Sequence, residues 1–226
     1  MAAPDTIPPI TDGVFFHVPR ALPRGKNALA RDEVLRVQQE RTLIAVTELL
    51  AAYGPHEVGP KDICTRAGLS LTSFYASYSS KEECIFAAYD RFIDLLLTRL
   101  LVLDGSGRPW REYVGEVMDT YLGALRADPV VAMAFQVQMD AMGAGARERR
   151  RTALSSLAEL LFSKHVEWDP SARDRFPFAA YLSGVYGLRQ LAADALEAGD
   201  LGRLDELAAE ATAWVSTMFG GDGDRA

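Results

Sequence analysis

The chain has 226 residues, of which 49% are apolar and 24% are charged, and its formal net charge is −7. It has no run of about 18 apolar residues and no basic-then-apolar N-terminus, so neither a membrane-spanning helix nor a signal peptide is predicted. Cys64 and Cys84 are the only cysteines, and they form no CxxC motif or Cys/His cluster. We therefore expect a cytoplasmic protein with reduced thiols that needs no cofactor or metal.

The charge is unevenly distributed along the chain. Residues 1–81 carry nine Lys/Arg and eight Asp/Glu, whereas residues 82–226 carry fifteen and twenty-three. The acidic body disfavours nonspecific adhesion to DNA, but the nearly neutral first part can still present a local basic face.

Residues 1–30 are rich in proline and show little periodicity, which predicts a mostly irregular N-terminal arm. Arg20, Arg24 and Lys26 follow one another within it with no acidic residue between them. Two interpretations of this basic stretch are open: a solvated linker, and a tail that follows DNA into a neighbouring groove.

The first helical pattern runs from about residue 32 to residue 53 and ends at Gly54, which suits a left-handed C-cap. A short helix follows from Pro60 to Arg66, with proline at its first position, where the missing N–H costs little. The apolar side chains of the longer helix recur at the spacing of one buried face, at Leu43, Val46, Leu50 and Tyr53.

Gly68 ends the short helix, and Ser70 is a natural N-cap for another, Leu71 to Ser77. Ser80 and Glu83 have the spacing of a capping box at the start of a fourth helix, which can run over residues 81–103. Two short helices joined by a tight glycine turn, after a longer helix, predict a helix-turn-helix.

Beyond residue 103 the sequence continues helix after helix, with breaks at DGSGRP, ADP, MGAGA, EWDPSA and GDLG. No alternating apolar and polar stretch predicts a strand. The expected fold class is all-α with about nine helices. We predict three regions: the arm at residues 1–30, a helix-turn-helix domain at 31–80, and a helical ligand-binding and dimerisation domain at 81–226, connected through helix 81–103.

The stretch RTLIAVTELLAAYG…KDICTRAGLSLTSFYASYSSKEECIFAAYD, Arg41 to Asp90, resembles the DNA-binding domain of the TetR family of bacterial transcriptional regulators. The shared pattern is an Ala/Leu-rich helix ending in Gly, then Asp-Ile, Ala-Gly, an aromatic-Tyr pair and Ser-Lys-Glu. The stretch LPRGK before a lengthened first helix also resembles members with a basic N-terminal extension. One departure is Val58-Gly59-Pro60, which stands where the family usually has a Ser or Thr that caps the second helix and touches phosphate.

The resemblance implies a homodimeric repressor that is released from a pseudo-palindromic operator when a small molecule binds. Tyr75 and Lys81 would bind phosphate, Leu71, Thr72 and Ser73 would face base edges, and Ser70 would cap the recognition helix. Phe74 and Tyr78 are expected to pack inward. The complete set expected to contact DNA is Lys61, Ser70, Leu71, Thr72, Ser73, Tyr75, Lys81, Arg24 and Lys26.

The larger domain carries two helical patterns suited to a dimer interface. Leucines and valines alternate with Gly184, Gly187 and other small residues in the helix over 178–198, and the last helix has a broad apolar face. Four such helices, two from each subunit, would form a bundle, although some of these residues would also belong to the core. The predicted interface residues are Leu182, Val185, Leu188, Leu191, Leu207, Ala211, Trp214 and Met218.

No motif locates the ligand pocket, and its candidates are the large residues on the surrounding helices. Methionine and aromatic side chains together favour an apolar or aromatic ligand. The candidates are Trp110, Tyr113, Met118, Tyr121, Met133, Phe135, Met139, Phe162, Tyr181 and Tyr186.

Two other function classes are open. One is a regulator without a ligand, controlled by a partner protein or by oxidation of its thiols. The other is an all-α small-molecule-binding protein or enzyme with a degenerate helix-turn-helix. The sequence disfavours an enzyme, because His17, His56 and His165 are scattered and accompany no catalytic or metal-binding spacing.

Overall fold

A computed structural model describes residues 7–19 and 31–219. No strand occurs in these two ranges, and the predicted all-α class is confirmed. None of the helices in the described ranges is long and apolar enough to cross a membrane. The part of the chain that the structure describes contains ten α-helices: α1 Arg31–Tyr53, α2 Pro60–Ala67, α3 Leu71–Ser77, α4 Lys81–Leu101, α5 Trp110–Ala127, α6 Pro129–Ala132, α7 Ala144–Trp168, α8 Ala172–Arg175, α9 Phe178–Glu197 and α10 Gly202–Phe219.

The chain divides into two compact units. The first contains the residues up to Phe92 together with Val130–Met142, and the second contains Ile93–Pro129 and the residues from Gly143 onwards. The sequence predicted a domain boundary just before α4, between residues 80 and 81. The division between the two units instead falls within α4, after Phe92. Since Val130–Met142 is separated from the first unit in sequence, no local signal assigns it there.

The N-terminal segment at residues 7–19 has no helix or strand, yet it packs into the core of the first unit. Phe15 and Phe16 are each 1% exposed, and the ring of Phe15 lies 4.8 Å from that of Phe92. The predicted arm is thus partly core. Its basic residues Arg20, Arg24 and Lys26 lie outside the described residues.

The segment after α6 contributes aromatic packing to the first unit. It begins with a π-helical turn, Met133–Val137, followed by the 3₁₀ turn Gln138–Met142. The ring of Phe135 lies 5.8 Å from that of Tyr89 and 5.3 Å from that of Phe92. Met133, Phe135 and Met139, three of the predicted ligand-binding residues, therefore belong to the unit that carries the helix-turn-helix.

The second unit is built around α5, α7, α9 and α10. Close approach of α9 and α10 depends on Gly184, because a Cβ at that position would lie 3.2 Å from the Trp214 ring. This glycine, predicted to permit close helix contact at a dimer interface, thus also permits close contact between two helices of one chain.

Candidate DNA-binding and ligand-binding sites

The turn between α2 and α3 has the geometry that a helix-turn-helix requires. Gly68 adopts φ 68°, in the left-handed region that favours glycine, and its N–H is bonded to the last carbonyls of α2. Ile63 of α2 is fully buried, and Phe74 of α3 is 1% exposed. These two side chains fix both short helices to the first unit.

Helix α3 buries one side and exposes the other. The Ser70 hydroxyl accepts a hydrogen bond from the Ser73 N–H at 3.1 Å, which confirms the predicted N-cap. Phe74 and Tyr78 are buried as expected, whereas Tyr75 is 54% exposed. The exposed side chains recur one helical turn apart, at Leu71, Thr72, Tyr75 and Ala76.

The candidate DNA-binding lysines differ in their surroundings. Lys61 is exposed at the start of α2. Lys81 is half-buried, and its ammonium donates a hydrogen bond to the Pro55 carbonyl at 2.7 Å. An ammonium group has three donors, so Lys81 can bond to the Pro55 carbonyl and still donate a hydrogen bond to a phosphate. Ser73 is also partly engaged, because its hydroxyl lies 2.9 Å from that of Ser70.

The N-terminus of α2 is capped without a hydroxyl. The Gly59 N–H donates to the Asp62 carboxylate at 2.8 Å. Asp62 also places a negative charge beside the N–H groups of the first turn, where the helix dipole stabilises it. Because its N–H is bonded to Asp62, Gly59 offers no free backbone amide in place of the family's hydroxyl at this position.

The start of α4 departs in part from the predicted capping box. The Ser80 hydroxyl accepts from the Glu83 N–H at 3.1 Å, as expected. The Glu83 carboxylate, however, accepts from the Ser79 N–H at 2.7 Å and not from that of Ser80. Hydrogen bonds from Ser79 lower the pKa of Glu83, so the carboxylate stays ionised beside the helix N-terminus.

Two small apolar cavities lie in the core of the second unit, with volumes of about 40 and 30 Å³. Both are lined by Met118, Leu161, Val185 and Leu188. They are far smaller than the roughly 300–1,000 Å³ usual for ligand pockets. Among the predicted pocket residues, those that line one or both are Trp110, Met118, Tyr121 and Tyr181.

The other predicted pocket residues of the second unit lie elsewhere. Phe162 packs its ring 5.2 Å from that of Tyr181, and Tyr186 is 40% exposed. Tyr113 lines a separate cavity of about 280 Å³ with Trp110 and Trp168.

His165 is buried in an aromatic cluster that was not predicted from the sequence. Its Nδ1 lies 2.6 Å from the Tyr181 hydroxyl, and its ring stacks on Trp110 with centroids 4.6 Å apart. Burial lowers the pKa of His165, so the imidazole is neutral at pH 7. The available signal was the i, i+3 spacing of Phe162, His165 and Trp168, which places all three on one helix face.

The predicted dimer residues divide evenly between core and surface. Val185, Leu188, Leu207 and Ala211 are buried within the second unit. Leu182 and Trp214 are half-buried, whereas Leu191 and Met218 are 48% and 55% exposed. A dimer interface formed by α9 and α10 would therefore use the residues that are not buried, which are Leu182, Leu191, Trp214 and Met218.

Comparison with known proteins assigns the helix-turn-helix region. Residues 43–88 match the family model described as bacterial regulatory proteins, tetR family. This part of the chain belongs to the TetR family. The matched residues include α2, α3 and the start of α4, so the resemblance inferred from the sequence is confirmed.

A curated relative is the HTH-type transcriptional activator FasR of Mycolicibacterium smegmatis, 36% identical over 75 residues. The match covers 33% of this chain and 32% of FasR, so the chain spans about a third of the length of that relative.

Solved structures of regulators share the fold over most of the chain. The transcriptional regulator FadR of Bacillus subtilis, in complex with stearoyl-CoA, is 14% identical with a TM-score of 0.63, over 76% of this chain and 94% of FadR. A transcriptional regulator from Rhodococcus sp. Rha1 is 23% identical with a TM-score of 0.61, over 79% and 96% of the two chains. At these identities the likeness shows that most of the chain, and so also the second unit, shares the fold of these two regulators.

Proposed function

We propose that the protein is a homodimeric, DNA-binding transcriptional regulator whose α3 enters the major groove and whose second unit binds a small molecule. The observation that carries the proposal is the two-sided α3. Phe74 anchors its inner side, while Thr72 and Tyr75 stand exposed one turn apart. Hydroxyl groups on an exposed recognition helix can meet base edges and phosphates.

A dimer is needed because one short helix reads only a few base pairs. Two copies would place their α3 helices in half-sites about 34 Å apart on a pseudo-palindromic operator. Leu191 on α9 and Met218 on α10 leave apolar surface exposed, which suits a helical interface between identical subunits.

The proposed ligand is a molecule whose apolar part, such as an acyl chain, enters the core of the second unit. FadR of Bacillus subtilis was solved with stearoyl-CoA, and the apolar cavities here are lined by leucines, Met118 and Tyr121. Since these cavities are small, a long-chain ligand would have to push α5, α7 and α9 apart. Helix α4 offers a connection, because Lys81 at its start braces the Pro55 loop and Leu100 near its end lines a cavity.

The proposed mode of regulation is repression. The protein bound at the operator would exclude RNA polymerase, and ligand binding would release the protein from the operator and so relieve the repression. FasR is named an activator, so a reporter measurement has to register both directions. A reporter that the protein lowers, and that the ligand restores, supports repression. A reporter that the protein raises would replace that part of the proposal.

A gel-shift titration with the DNA upstream of the protein's own gene tests the proposal. We expect a specific, salt-sensitive complex with two chains for each operator, which stearoyl-CoA weakens. Thr72→Ala should reduce the affinity of this complex, whereas Thr152→Ala, at an exposed position of α7, is the matched control and should leave the affinity unchanged. Absence of a specific complex there and at adjacent promoters would refute DNA-dependent regulation.

The proposal of an acyl ligand is tested separately from the proposal of DNA binding. If the DNA complex forms but neither stearoyl-CoA nor shorter acyl-CoA molecules weaken it, the acyl ligand is rejected and the regulator is retained.

A further inference from the structure

An open groove of about 460 Å³ lies in the first unit, beside the turn of the helix-turn-helix. Three parts of the chain line it: the N-terminal segment through Ile10 and Val18, one face of α1, and the end of α2 with Gly68. At about 30 Å³ for each water, it has room for a molecule of roughly fifteen non-hydrogen atoms. The lining includes none of the residues assigned above to DNA or to the acyl ligand.

The floor of the groove is apolar. On α1, Ile44 and Ala45 stand one helical turn from both Arg41 and Glu48, so these four lining residues share one helix face. Ile44 is 9% exposed, and Ile10 of the N-terminal segment is 7% exposed. The apolar part of an occupant would cover this floor and remove its remaining surface from water.

Arg66 brings unused hydrogen-bond donors to the groove. Its Nε donates to the Glu48 carboxylate at 2.7 Å, and its side chain is 33% exposed. This is the one side-chain hydrogen bond that Arg66 makes within the described residues, so both of its Nη groups are left without a protein partner. Two Nη groups of a guanidinium can hold a carboxylate through a pair of parallel hydrogen bonds.

Arg41 gives the groove an excess of positive charge. It is half-buried on the lining, and its guanidinium has no ion pair or hydrogen bond with the residues that the structure describes. Glu48, the one acidic residue on the lining, already pairs with Arg66. Two arginines and one carboxylate leave the lining with a formal charge of +1, which an anionic occupant would balance.

The groove favours an organic acid over a phosphate of the DNA backbone. A backbone phosphate could pair with the arginines, but it would leave the apolar floor uncovered. A carboxylate on an apolar body uses both parts of the groove. The chain that follows Pro19 does not supply such a group, because residues 20–30 contain Arg20, Arg24 and Lys26 and no acidic residue.

We propose that this groove binds a small organic acid, in which a carboxylate is attached to an apolar body of about a dozen carbon atoms. The carboxylate accepts from Arg66 and Arg41, and the apolar body packs on Ile10 and Ile44. This site lies in the first unit and goes beyond the proposed function, because it needs neither DNA nor an acyl ligand.

Three probes of similar shape and different charge test the groove by isothermal titration calorimetry on the full chain without DNA: 2-naphthoate, 2-naphthamide and 2-naphthylmethylamine. We expect one naphthoate for each chain, with affinities at least about tenfold lower for the neutral and the cationic probe. Arg41→Gln removes one charged partner and should weaken naphthoate about tenfold.

Two further variants and one second measurement locate the binding. Val18→Glu, at a 46% exposed position of the lining, adds a carboxylate that repels the acid and should also weaken it about tenfold. Arg99→Gln, at an exposed position of α4 outside the groove, is the matched control and should leave binding unchanged. Naphthoate should slow amide hydrogen exchange in residues 7–19 and at the turn between α2 and α3.

Several outcomes would overturn the inference. They are no saturable binding of naphthoate, naphthamide binding as tightly as naphthoate, and naphthoate binding that survives both Arg41→Gln and Val18→Glu or leaves exchange in residues 7–19 unchanged. If naphthoate does not bind but Arg41→Gln lowers the slope of log operator affinity against log salt by about 1, Arg41 serves the DNA backbone and the acid site is rejected. The titration contains neither DNA nor acyl-CoA, so failure of this site and failure of the proposed function are distinguishable.

Discussion

Glu48 of α1 holds Arg66 of α2 through a 2.7 Å contact between its Oε2 and the guanidinium Nε. The other oxygen of the same carboxylate accepts from the Ile10 N–H at 2.6 Å. Glu48 is 4% exposed, so its charge is stabilised by these two donors in place of water. One side chain thus joins the N-terminal segment, the first long helix and the end of the helix before the recognition helix.

Glu48→Gln should lower the free energy of unfolding of the first unit by about 2 kcal/mol, because hydrogen bonds to a buried charge contribute about 1.5–3 kcal/mol. Amide hydrogen exchange should show the loss in residues 7–19 and in α2. The matched control is Glu57→Gln at an exposed position, which should change stability by less than about 0.5 kcal/mol. Equal effects of the two substitutions would contradict the role assigned to Glu48.

Lys61→Ala and Thr72→Ala should weaken DNA binding in different ways. Lys61 is exposed, and loss of one phosphate contact should weaken all sequences alike and reduce the slope of log affinity against log salt by about 1. Thr72 would touch a base edge, so its substitution should change the preference at one operator position by about 1–3 kcal/mol. Competition gel shifts over a series of salt concentrations separate the two. A uniform loss from Thr72→Ala would reject its assignment to base readout.

The helix-turn-helix was predictable because its signals are local. Gly68 ends α2 in the left-handed conformation, Ser70 caps α3 and Pro60 opens α2. Each of these residues acts within one helical turn of itself, so a single sequence is sufficient to identify them.

The burial of Phe15 and of His165 was not predictable in the same way. The carbonyl of Phe15 accepts from Arg91, which is 76 positions away in sequence, and the proline-rich context gives no periodicity. His165 stands at a polar-looking helix end, and its burial depends on Trp110 and Tyr181 from two other helices. Such contacts depend on tertiary packing, which overrides local propensity.

Cys64 and Cys84 should be unreactive in the native protein. Measuring their reactivity tests the alternative that oxidation of these thiols controls the regulator. They are 5% and 0% exposed, and burial raises the pKa of both thiols, that of Cys84 to about 12. Only the thiolate is the nucleophile, so labelling with a disulfide reagent should be at least about 100-fold slower than in denaturant. The single variants Cys64→Ala and Cys84→Ala assign any label. Rapid native labelling that also releases DNA would restore regulation by oxidation.

His165 should make stability fall as the pH drops below 6.5. Burial lowers the pKa of His165 from its ordinary value of 6.5, helped by Arg175 and opposed by Asp169 and the Phe219 backbone. As the pH falls below about 6.5, His165 therefore binds a proton in the unfolded chain but not in the native state. The free energy of unfolding then decreases by up to about 1.4 kcal/mol per pH unit until the native pKa of His165 is reached.

Urea unfolding between pH 7.5 and pH 5 measures this loss, and His165→Asn should flatten the slope even if it lowers stability throughout. The lowered pKa of Asp169 acts in a different window, because its contribution is present above its ordinary value of 3.8 and is lost only as the pH falls through the native pKa. His56→Asn, at an exposed position, is the matched control and should keep the slope of the unsubstituted protein. An unchanged slope in His165→Asn would show that other groups take up the proton.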